Sequence, residues 1–152
     1  MERNLIFVGL LVFSMIFTAC EKGKIDNLDQ ISYGSSFGMC VGYCKNELAV
    51  SSSKMTYSKI QHAPKPDTKT CTQPITAEEV AVIRNLLDSE KIAALPEVIG
   101  CPDCADGGAE WVAINADGKK YKITFEYGKP PKELAAAVAK LKTLKELFKD
   151  CK

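Results

Sequence analysis

Seven cysteines constrain this chain more than any other feature, because their spacing decides which segments must meet. Cys40 and Cys44 form one close pair and Cys101 and Cys104 another, Cys71 and Cys151 stand alone, and Cys20 closes an apolar run. A compartment that oxidises thiols uses cysteines two at a time, so an odd total leaves one with another role. If Cys20 is the odd one, six remain. Their pairing is open in principle. The short spacings favour bridges Cys40–Cys44 and Cys101–Cys104, and Cys71–Cys151 then follows by elimination.

The apolar run covers residues 5–19 and is broken mainly by Ser14 and Thr18. A membrane-crossing helix needs about 20 apolar residues, whereas the apolar core of a secretory signal needs about 7–15. Length therefore favours a cleaved leader over a permanent span. Ile16-Phe17-Thr18-Ala19-Cys20 resembles the cleavage region of a bacterial lipoprotein signal peptide, with Phe17 in place of the usual aliphatic residue. The resemblance implies lipid on Cys20, the new N-terminus, and so the membrane as a partner through that anchor. Glu21, not the Asp associated with inner-membrane retention, points to the outer membrane of the cell envelope. The rival readings are an ordinary secretory signal and an uncleaved anchor, with Cys20 a bystander. The expected organisation is a signal peptide over residues 1–19, a polar tether over 20–29 and one domain over 30–152.

Removing 19 residues from 152 leaves 133, enough for one self-sufficient core. Taking Arg3 and Glu2 from totals of 20 basic and 19 acidic side chains leaves 19 and 18. Such balance gives no long-range field for nucleic acid. Arg84 is the one arginine after Arg3, so forked recognition of phosphate or carboxylate has little material.

Period-two alternation predicts a strand over residues 30–35, a second from Cys44 through Asn46, Leu48 and Val50, and a third opened by Met55 and Tyr57. Ser51-Ser52-Ser53 reads as a turn, and Pro64 and Pro66 make residues 63–67 a surface loop. Thr76-Ala77-Glu78-Glu79 is a capping box, followed by the apolar stripe Val80, Ile83, Leu86 and Leu87. Trp111 to Ile114 and Tyr121 to Tyr127 read as a hairpin around Asp117-Gly118. Pro130-Pro131 opens a last helix with Leu134, Val138, Leu141, Leu144 and Phe148 on one stripe. The expected fold is α+β, β-β-β-α-β-β-α, an antiparallel sheet of about five strands with two helices on one face. Val80, Ile83, Leu87, Trp111, Ile123, Phe125, Leu134, Val138 and Leu141 are the expected core between sheet and helices.

Cys101-Pro102-Asp103-Cys104 is a CxxC, and two thiols so spaced at a helix start can act as nucleophile and resolving partner. Thiol–disulfide exchange at Cys101 and Cys104 is accordingly the enzymatic reading. Residues 105–108 continue as loop, which favours a structural bridge. The two close pairs could also present four thiolates to zinc, but rubredoxin-like knuckle sequences are missing around them. Asp103, Asp106 and Glu110 crowd three carboxylates around Gly107-Gly108 and mark a candidate binding loop. Calcium would want such oxygens, yet the EF-hand spacing is absent. His62, the single histidine, stands beside two prolines with no evident nucleophile, and no cofactor or metal is expected.

Residues 36–44, Ser-Phe-Gly-Met-Cys-Val-Gly-Tyr-Cys, and 100–111, Gly-Cys-Pro-Asp-Cys-Ala-Asp-Gly-Gly-Ala-Glu-Trp, together resemble uncharacterised lipoproteins of Bacteroidota-type bacteria with a small cysteine-containing α+β domain. The resemblance spans about residues 31–148. It implies compartment and a single domain, and supplies no catalytic residues. The expected function is that of a lipid-anchored envelope protein, a non-enzymatic binding or structural module such as an envelope inhibitor, with an envelope protein or ligand as partner.

Overall fold

A computed structural model describes residues 23–62 and 64–151. The leader and Cys20 lie outside the described residues. The fold is α+β, built on one seven-stranded sheet in place of the expected five strands. Its strands are β1 (Leu28–Ser36), β2 (Lys45–Ser51), β3 (Lys54–Gln61), β4 (Asp67–Pro74), β5 (Val98–Ile99), β6 (Ala109–Ala116) and β7 (Lys119–Glu126). They lie in the order β4-β3-β2-β1-β6-β7-β5. Neighbours pair antiparallel except β5 with β7, which run parallel. Three helices, not two, are described: α1 (Ala77–Asn85), the short α2 (Ser89–Ala93) and α3 (Lys132–Lys145).

Cross-strand register aligns Ile31 with Val50 and Ile114, and Tyr33 with Leu48 and Val112, so alternate residues of β1, β2 and β6 share one face. Met55, Tyr57, Ile123 and Phe125 extend that face, which packs on Ile83, Leu87 and Ile92 from α1 and its sequel and on Leu134, Val138, Leu141 and Leu144 from α3. Burial of each such side chain contributes roughly 1.5–3 kcal/mol. The capping box forms as expected: the Glu79 amide donates to Thr76 Oγ1 at 3.2 Å, and Glu79 Oε2 accepts from the Thr76 amide at 3.4 Å.

Trp111 is a correction. It is buried, but beside Ala109, Ala113 and Asn115 on the face opposite the described helices. There its ring lies across Gly34, where a Cβ would stand 2.0 Å from the ring, and Lys45 Nζ lies 5.3 Å from the ring centroid.

All six cysteines of the domain are paired: Cys40–Cys44, Cys71–Cys151 and Cys101–Cys104. The second bridge ties edge strand β4 to the segment after α3, next to the contact of Tyr57 with Phe148 at 5.6 Å between ring centroids. The segment expected as a free tether is docked from Gly23 onward. Ile25 is buried in the core, Asp117 accepts from the amides of Asp26 and Asn27, and the Gly23 carbonyl accepts from the Ser89 amide.

Candidate functional site

The two ends of the sheet differ in character. β1 leaves the docked segment, runs eight residue steps or about 26 Å, and ends where β2, β4 and β6 begin and β3 and β7 stop. Residues 37–44 and 101–108 therefore meet at the far end, which we term the tip. Gly38 donates its amide to Asp103 Oδ1 at 3.3 Å. Phe37 packs directly over Gly108, which has φ +79° and whose missing side chain leaves the room for that ring. Tyr127 also packs on Phe37, with ring centroids 4.8 Å apart.

Each loop is also braced internally. The Cys40–Cys44 bridge closes a five-residue ring, and the Phe37 amide donates to the Cys44 carbonyl at 3.1 Å. Tyr43 donates to Asp67 and has Lys59 and Lys69 at 5.6 and 5.4 Å from its ring centroid. In the second loop the Gly108 carbonyl accepts from Asp103 at 3.0 Å and from Tyr127 at 3.3 Å, and Glu126 accepts from the Cys101 amide. Lys129 and that amide hold the Glu126 carboxyl below its usual range. On this braced base Met39 is 81 % and Val41 95 % exposed, and Tyr127 is half-exposed.

The candidate binding residues separate. Asp103 and Asp106 stay on the loop, but Glu110 does not belong with them. It lies in β6 on the helix-covered face with no exposure at all. Its Oε1 accepts from the Tyr33 hydroxyl at 2.6 Å, and Lys142 Nζ stands 2.9 Å from Oε1 and 3.2 Å from Oε2. Burial, then the bond to Glu110, raises the Tyr33 phenol far above its ordinary value. Lys145, 5.9 Å from the centroids of both Tyr33 and Tyr57, has its ammonium lowered by burial, against the pull of Glu110 and Glu146. This cluster fixes α3 to the sheet. Among the described residues no group of three or more His, Cys, Asp or Glu side chains is arranged to hold a metal ion.

The CxxC cysteines stand in a loop that makes one 3₁₀ turn at Cys104–Asp106 and continues into β6, with no long helix after them. Met39, Val41 and Tyr127 were not legible as site residues from sequence. Their signal was available only as apolar side chains in a Gly/Cys-rich segment, or at a strand end, that the fold leaves without cover.

Fold and site together define an α+β domain that carries two cross-braced disulfide loops at one end. Compared with models of known protein families and with curated proteins, the chain matches none.

Proposed function

We propose that this is a lipid-anchored protein of the bacterial cell envelope, related to the Bacteroidota-type lipoproteins it resembles, and that its domain binds an envelope protein through the tip. One observation carries the reading: the apolar projection at Met39 and Val41 stands at the opposite end of β1 from Asp26 and Asn27, which lead into that strand. An anchor at Cys20 then holds one end of the domain at the membrane and presents Met39 and Val41 outward. Large exposed apolar side chains on a preorganised support are the economical form of a protein contact, since little order is lost on binding. A convex, disulfide-closed loop suits insertion into a partner's cleft, as in a small envelope inhibitor.

The test uses the full chain in cells, with a photo-crosslinking residue at Val41 or, as control, at the exposed Val82 of α1. The expected result is one discrete adduct from Val41 and none from Val82, together with alkynyl fatty-acid labelling that disappears in Cys20→Ser. Identical adducts from both positions would remove the tip reading. Labelling that persists in Cys20→Ser would remove the anchor.

A further inference from the structure

Beside the Cys101–Cys104 bridge lies an open hollow of about 300 Å³, walled by both cysteines with Gly108, Glu126, Tyr127 and Lys129. Both cysteines of this bridge are exposed, whereas in Cys40–Cys44 only Cys40 is, and in the third bridge Cys151 is buried and Cys71 partly so. The loop backbone is also held in an unfavourable state. Asp103, Ala105 and Asp106 have φ of 61°, 51° and 60°, the left-handed region that L side chains resist, and alanine has no side-chain hydrogen bond to offset it. Exposure and strain both mark a bridge as the labile one of a set. The hollow adds a seat for an attacking sulfur. Lys129, paired with Glu126, offsets the repulsion that the carboxylate would exert on an incoming thiolate.

We propose that Cys101–Cys104 is a thiol–disulfide exchange site that accepts two electrons from an external dithiol and thereby loosens the tip. One thiolate of the dithiol attacks a bridge sulfur, and the other cysteine leaves as a thiolate and takes a proton. The second thiol of the reductant, losing its own proton, then attacks the reductant's sulfur in the mixed disulfide, and the remaining cysteine leaves as a thiolate and takes a proton. The dithiol ends as a disulfide, and Cys101 and Cys104 end as thiols. Once the bridge opens, the loop can leave its left-handed turns, and Asp103 no longer stands within reach of the Gly38 amide. Phe37 then loses its fixed seat over Gly108. The exchange step stands on the hollow and the loop, while its consequence for binding rests on the tip reading above.

The test treats the full chain in detergent with graded dithiothreitol or with reduced thioredoxin, followed by alkylation, mass mapping and amide exchange. Cys101 and Cys104 should become alkylated at about tenfold less reductant than Cys71 and Cys151. Amide exchange over residues 37–39 should rise in the same samples, and in untreated Cys101→Ser with Cys104→Ser. Action by dithiothreitol alone assigns the electrons to small thiols, and action by thioredoxin at lower concentration assigns them to a protein dithiol. Opening no earlier than Cys71–Cys151 overturns the proposal, as does unchanged exchange at residues 37–39 once Cys101–Cys104 is open. None of these readouts involves a partner, so a failed crosslink at Val41 leaves this result standing, and the reverse holds too.

Discussion

Glu110 is the residue whose neighbours matter most to it. A carboxylate removed from water is costly unless its oxygens are met, and here two donors meet them. Removing one partner should therefore hurt more than removing both. Lys142→Met alone should lower stability by about 3 kcal/mol, since it strands the carboxylate. Glu110→Leu combined with Lys142→Met should cost only about 1 kcal/mol, the Tyr33 hydroxyl having lost its acceptor. Urea unfolding of Lys142→Met, Glu110→Leu, the double variant and wild type decides this, and a double variant as weak as the summed singles would show no coupling. The inward position of Glu110 was readable from parity, because it shares its face with Val112 and Ile114. A strand read as starting at Trp111 groups Glu110 with the loop acids, whereas β6 begins at Ala109.

At the level of elements, alternation located the strands that bury one apolar face and failed where that contrast is absent. β1, β2, β3, β6 and β7 each carry it. β4, Asp-Thr-Lys-Thr-Cys-Thr-Gln-Pro, is polar on both faces because it is an edge strand, and its one clue was a run of β-branched threonines. β5, two residues long, gives no period to detect. Trp111 is expected between sheet and helices but lies on the opposite face, where close approach to Gly34 shelters it. Gly34→Ala tests that arrangement. The new methyl would overlap the indole, and about 1–3 kcal/mol of stability should be lost. Emission from the single tryptophan should shift to the red in the same variant, and an unchanged spectrum and stability would show that the ring moves aside freely.

For the whole molecule, the three bridges divide their work. Two brace the tip, and Cys71–Cys151 closes a segment of 80 residues between an edge strand and the chain end. Long closures restrict the unfolded chain most, so Cys71→Ala with Cys151→Ala should cost roughly 2–5 kcal/mol. Thermal unfolding of that variant should show the loss as a lower Tm. A Tm within about one degree of wild type would mean that the core alone holds the C-terminal segment.

The central place of β1 has a mechanical consequence. Tension between the chain ahead of Gly23 and anything gripped at residues 37–44 runs along β1, which is bonded to β2 on one side and β6 on the other. Both ends of that load lie on one strand, so the extended covalent backbone of β1 carries it, and the antiparallel hydrogen bonds, which lie across the strand, are not asked to slide. A domain held at these two places would thus be drawn taut along a single strand, with the rest of the sheet left unloaded.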